Sequence, residues 1–506
     1  MFVRRFYVFG IFLLLCALTA HGQSAPSQLI NINADNLENK IVDGQEVSIL
    51  TGNVRFSQGM INGSSDKVTH YKALNKVILE GNVEIRQDVM LLKAPNVEYD
   101  GISSNAKAEN GVYLSDRDAS VTARKGYYNL NSQKADFEGN VKANQVGTFI
   151  SSDKLSYFRS SQTTYATGNV EVLSDSGKLK SNELTFVRLT GETIATGNVI
   201  LTNDTSELYC ENFYDSKVNG LTTASMNVSL FDKKNNSWLL ADTLARIRDS
   251  SIINVPRNPT LLILDSTTTV DSLSGITITR IDTLFIKSLS MTATTGDSSA
   301  FYAEDSVKLL RLNFAGVATS LSYHQKSGDM IMHGGGRQRV WYDSTELDCD
   351  SLVMQTKDKK IDKIFAFGKP FLTSLYEDTT VKERVNQLSS QRMILTVTND
   401  TVRNLLAIDN AISLYFVSSD GKPSGINRAT GDSLRVDFEL NRAKGITVLS
   451  QTEGEYIPER FVKHRGAAFR LSTYERHTDQ HPIREDFHVS LPVTRSVSPT
   501  SSVTKE

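Results

Sequence analysis

Apolar positions in the first half of the chain recur with a 29-residue period. Val54, Val83, Val112, Val141, Val170, Val199 and Val228 fall at equal spacing. Two residues further on runs a second apolar column: Phe56, Ile85, Leu114, Ala143, Val172, Leu201 and Leu230. Residues two apart share one face of a strand, so Val83-Glu84-Ile85-Arg86 reads as a half-buried strand. Gly-Asn precedes five of these Val residues, while Asn110-Gly111 and Met226-Asn227 stand before the other two. This spacing predicts a turn ahead of each strand. A second strand is expected around Ala94-Pro95-Asn96-Val97-Glu98-Tyr99, and a third short run, Ala106-Lys107-Ala108, leads to the next turn. A fixed period of this length signals an all-β, solenoid-like stack rather than a globular enzyme core.

Reading down the repeats gives further columns. One is aromatic (Tyr99, Tyr128, Tyr157, Phe186), with His70 and Asp215 at its ends. Another is apolar (Val68, Val97, Leu155, Leu184, Phe213) and is broken by Gly126. A third is small throughout: Ser65, Ala94, Ala123, Ser152, Ser181 and Cys210. The column before the turn holds Leu79, Ala108, Phe137, Ala166, Ala195 and Ala224. Small and large columns side by side predict an apolar trough with room inside rather than a filled core. If each unit adds one strand, seven units give roughly 35 Å of apolar surface.

The stretch from Val77 to Arg86, followed by Lys93-Ala94-Pro95-Asn96-Val97-Glu98-Tyr99, resembles the repeat of the periplasmic OstA-like (LptA-like) lipopolysaccharide-transport family. Ser152-Asp153-Lys154-Leu155-Ser156-Tyr157, leading to Ala166-Thr167-Gly168-Asn169-Val170, is a closer match. The resemblance covers residues 30 to 230. It implies an open β-jelly-roll whose apolar interior holds lipid acyl chains, joined end to end between the inner and outer membranes of Gram-negative bacteria. The partners it implies are lipopolysaccharide or a related glycolipid, transport components at both membranes, and further copies of the chain. The interior residues expected to line the trough are Val54, Phe56, Val68, Val83, Ile85, Val97, Tyr99, Val112, Leu114, Val141, Leu155, Tyr157, Val170, Val172, Leu184, Phe186, Val199 and Leu201.

Arg4 and Arg5, the apolar run to Leu18, and the small residues of Ala20-His21-Gly22 predict a signal peptide over residues 1–22, cleaved near Gly22. Leu15 is too large for a lipobox ahead of Cys16. The mature chain is therefore expected in the periplasm or at the outer membrane. Residues 23–235 form the regular repeats and 236–454 a diverged β-repeat region. There Gly368-Lys369-Pro370 and Asp409-Asn410-Ala411 look like degraded turn positions. From 455 to 506, charge, Pro and Ser/Thr predict a mostly disordered tail.

The chain is near neutral, with 55 basic against 57 acidic residues, which argues against a nucleic-acid partner. No metal or cofactor motif stands out. Asp66, Asp153, Glu211, Asp242, Asp350 and Asp432 suggest a carboxylate ladder, but turn chemistry explains them better. Cys210 and Cys349 occupy the small-residue position and read as buried hydrophobes rather than nucleophiles. His333-Gly334-Gly335-Gly336 reads as a turn, and His464, His477, His481 and His488 as part of a solvated tail. No catalytic arrangement emerges, so the chain is expected not to be an enzyme. A structural or glycan-binding exported β-solenoid is the alternative.

Overall fold

The computed structural model describes residues 31–487 apart from short tips and loops (59–60, 116–118, 146, 248–249, 271–276, 295–298, 313, 358–359, 377–383, 399–400, 420–421, 440–441, 464 and 473), together with 489 and 491. The expected signal peptide and the last residues lie outside the described part. The described residues form 36 strands, one four-residue helix and three short 3-10 helices. They divide into two compact units, one running through Val228, the other comprising Ser229–Leu244 and the chain from Ser250 onward.

In the first unit most 29-residue repeats supply two long strands, not three short ones, while the repeat around Asn110-Gly111 is split into Asn105–Glu109, Val112–Ser115, Ala119–Ala123 and Lys125–Asn129. Lys76–Gln87 and Met90–Asp100 make one repeat, Lys134–Gln145 and Thr148–Phe158 another, Thr163–Ser174 and Gly177–Val187 a third. The expected third run Ala106-Lys107-Ala108 forms the separate strand Asn105–Glu109, but its equivalents elsewhere are continuous with the strand after the Gly-Asn pair, as in Lys134–Gln145 and Thr163–Ser174. Chain reversals fall at the short links between these strands, and each strand pairs antiparallel with the next. Each repeat therefore adds two rungs of about 4.8 Å, twice the advance expected from one strand per unit.

The Gly-Asn pair is not a reversal but a bend inside a strand. Gly81 and Asn82 both have left-handed backbones (φ +76° and +45°), as do Gly52-Asn53, Gly139-Asn140, Gly168-Asn169 and Gly197-Asn198. Register jumps there: Glu80 faces Asn96 and Val83 faces Ala94, so Gly81-Asn82 stand opposite the single residue Pro95. That is a β-bulge, which bends its strand and interrupts the ladder. Pro95 is tolerated in mid-strand because a residue facing a bulge need not donate to the ladder.

The second unit repeats this device with other residues. Asp305-Ser306 and Asp409-Asn410 are left-handed pairs at register jumps inside strands Ala300–Arg311 and Thr401–Ser419. Gly368-Lys369 is a third left-handed pair, between strands Lys360–Phe367 and Phe371–Leu375.

The expected disordered tail is ordered through Phe487. After strand Glu453–Pro458, the chain lies across the outer face of one sheet of its unit. Val462 is fully buried against Leu414, Phe416, Ile426 and Tyr376. Glu459 pairs with the buried Arg384. Gln387 donates to the Phe469 carbonyl and accepts from the Leu471 N–H. Tyr474 meets Phe371, His481 meets Trp341, and Phe487 meets Phe285. This stretch thus runs as a strap from strand to strand, back toward earlier residues. Pro482, Pro492, Pro499 and many charges suggested disorder, but the face beneath the strap offers buried partners for both charge signs.

Candidate functional site

The interior is built from ladders of paired residues. In one arm of the bent strands the ladder runs Val68, Leu79, Val97, Ala108, Gly126, Phe137, Leu155, Ala166, Leu184, Ala195, Phe213, each opposite the next. In the other arm it runs Phe56, Gly63, Ile85, Leu92, Leu114, Val121, Ala143, Ile150, Val172, Leu179, Leu201. At the bend each repeat Val faces a member of the small column: Val54 with Ser65, Val83 with Ala94, Val141 with Ser152, Val170 with Ser181, Val199 with Cys210. The concave side of a bend has little room, which accounts for the small column. Neither arm ladder contains a charged side chain.

Gly126 is not a break in this pattern. A Cβ there would sit 3.2 Å from Val112 and 3.6 Å from the Phe137 ring, so the glycine makes room for the Phe. The aromatic column likewise alternates with small partners: Tyr99 with Ala106, Tyr128 with Ala135, Tyr157 with Thr164, Phe186 with Thr193.

Fifteen of the eighteen expected interior residues are buried, and Phe56, Ile85 and Tyr99 are partly buried. The sequence reading missed Leu92, Val121, Ile150 and Leu179, although they recur at the same 29-residue period. Their column begins with Gly63, which hid it. The expected room inside is not seen along these columns: Ala166 and Ala195 are 0 % exposed, Ala135 and Leu155 1 %. Facing large residues occupy the space the small ones leave, so the interior is closed there.

The carboxylates serve the bends rather than forming a ladder. Asp66 accepts from the Asn82 side-chain amide at 2.9 Å, Asp153 from Asn169 at 2.9 Å, and Asp35 from Asn53 at 3.0 Å. Each also lies over the glycine of its pair: a Cβ on Gly81 would come within 2.3 Å of the Asp66 carboxylate. Glycine is thus required both by φ and by this close cover. Burial pushes the Cys210 and Cys349 thiols up to about 12, which removes the thiolate a nucleophile needs. His333 ends a strand ahead of a bend at Gly334–Gly336. Two tail histidines are held against the sheet: the backbone N–H of His477 donates to Glu346 at 2.9 Å, and His481 packs on Trp341. Among the described residues no three His, Cys, Asp or Glu side chains cluster as a metal site.

Residues 31–163 match the family described as LptA/(LptD N-terminal domain) LPS transport protein. The LptA-like resemblance of the repeats is shown for this segment. Among solved structures, the chain is similar to LptH, the LptA homologous periplasmic component of the lipopolysaccharide transport device of Pseudomonas aeruginosa. That likeness has 18% identity and a TM-score of 0.17, and covers 29% of this chain and 98% of that one. No curated protein matches the chain significantly.

Proposed function

We propose that the chain is a non-enzymatic lipopolysaccharide carrier that holds acyl chains between the two arms of its bent strands and passes them along the stack between inner and outer membrane. The observation that supports this most is the continuity of the two arm ladders, from the first rungs to Phe213, without a charge. Each methylene kept from water is worth about 0.8 kcal/mol, so a multi-chain lipid needs an unbroken apolar path. The family matched by residues 31–163 supports lipopolysaccharide as the lipid.

Loading requires the closed arms to part. The bulges are the natural hinges, because the ladder is already interrupted there. Side chains such as Val172 and Leu184 then exchange one apolar neighbour for another. Strands Asn31–Asn33 and Asn36–Val42 both pair only with Gln45–Gln58 among the described residues. Their outer edges suit strand addition from a membrane-anchored component or from a second copy. A periplasmic location, with contacts at both membranes, follows from this reading.

Ala143, buried in an arm ladder, offers the test. Binding of a fluorescent long-chain acyl probe to the purified chain is compared with Ala143→Asp, which puts a charge on the path, and Ala143→Met, which fills it. Both folded variants should lose at least about tenfold in affinity. If Ala143→Asp unfolds, Ala143→Met decides. A folded variant that binds the probe as the parent does would contradict interior acyl binding.

A further inference from the structure

We infer that the outer face of the first strands carries a binding site for an anionic saccharide, a sugar bearing a phosphate or a carboxylate. A cavity of about 530 Å³ opens there, within the range of small-molecule sites. Two rows of side chains cross it on four neighbouring strands. One row is Asn33, Arg55, Ser64 and Glu84, the other Asn31, Ser57, Asn62 and Arg86, each residue paired with the next. Both rows lie on the face opposite the Phe56 and Ile85 side chains, and Ile32, Phe56 and Gly63, which stand between the rows, complete the lining.

Many outer lysines of the unit are matched across strands: Lys67 with Glu80, Lys76 with Glu98, Lys154 with Glu138, Lys178 with Glu171. Arg55 has no carboxylate partner among the described residues. Glu84 is shared between Arg86 and Lys93, at 2.5 and 3.1 Å. Of the charged residues lining the cavity, Arg55 and Arg86 stand against the single carboxylate of Glu84, which leaves a positive excess.

The neutral residues then define the ligand. Three Asn amides offer paired donors and acceptors, and two Ser hydroxyls offer both, which suits the hydroxyls of a sugar ring. Arg guanidinium forks suit a phosphate or carboxylate. Four strands span about 14 Å between outer rows, room for more than one ring. The site rests on the proposed function only in its source: it fits the sugar headgroup of the same lipid as well as a free sugar acid.

Calorimetry on the mature chain tests this with glucose 6-phosphate, galacturonate, glucose and inorganic phosphate. The two charged sugars should bind at least about tenfold tighter than glucose or phosphate. Arg55→Gln and Arg86→Gln should each weaken them about tenfold, with Arg55→Lys in between and Lys142→Gln, an exposed control, unchanged. Deacylated lipopolysaccharide that binds more tightly than glucose 6-phosphate assigns the headgroup as source; equal affinity assigns free sugar acids. Phosphate binding as tightly as the sugar phosphate, or Arg55→Gln and Arg86→Gln binding as the parent does, would overturn the site. The Ala143 variants should keep saccharide binding, so failure of the interior reading and failure of this one are separable.

Discussion

The two units solve the same bending problem and differ in what covers their outer faces. In the first unit, outer positions carry Lys–Glu pairs such as Lys154–Glu138, with side chains 63% and 41% exposed. In the second, the strap lies over the sheet, and both faces of a strand are buried: Gln338, Arg339, Val340 and Trp341 run without an exposed residue. Alternation of polar and apolar residues is a record of which face meets water. Where the chain covers its own sheet, that record disappears while the bends remain.

This contrast predicts its largest effect at Glu346, 2 % exposed under the strap. Its carboxylate accepts from Trp341 Nε1 at 3.2 Å and from the His477 N–H, with Arg339 Nε at 3.5 Å. Glu346→Ala should cost about 3 kcal/mol, as loss of one partner in a buried charge network does. Both tryptophans, Trp238 and Trp341, lie in the second unit. Urea unfolding followed by Trp fluorescence checks this, and limited proteolysis should show cleavage between 459 and 487. A variant with an unchanged midpoint would mean that the Glu346 network contributes nothing to holding the strap.

The next effect belongs to the bends that the units share. Gly81→Ala forces a Cβ onto Asp66, and Gly368→Ala forces one to 2.1 Å from the Asp350 carboxylate, both at φ near +77°. Each should cost about 1–3 kcal/mol by thermal unfolding. Adding Asp66→Ala to Gly81→Ala should recover part of the loss, whereas simple additivity would remove the cover of Asp66 from the account.

Reactivity separates the cysteines from surface chemistry. With their thiols pushed up to about 12, Cys210 and Cys349 should resist iodoacetamide at pH 8 in the folded chain and react on unfolding. Rapid labelling of the native protein would contradict their burial. The smallest effect is expected at an exposed outer pair: Lys154→Ala should leave the melting temperature unresolved from the parent.

Much of this was legible because the bend demands specific residues. Gly81-Asn82 and its equivalents need left-handed backbones, and the 29-residue period follows from two strands and their links. The meaning of the pair was less legible: a left-handed dipeptide serves a reversal and a bulge equally, and only strand pairing separates them. Asp305-Ser306 shows how the signal fades, since other polar residues reach the same φ. The strap was illegible because its order depends on distant partners such as Arg384 and Glu346, which no local pattern announces. Residues of the interior columns share one face by strand alternation, but whether they enclose space depends on how small and large residues interlock between strands.

The most direct test of interior lipid binding places a photocrosslinker on neighbouring residues of one strand, in intact cells. Val172 belongs to an arm ladder and Glu171 to the outer face, away from the saccharide site. Lipopolysaccharide adducts are expected from position 172 and far fewer from position 171. Equal labelling from both, or none from 172 in a folded, exported chain, would contradict interior binding.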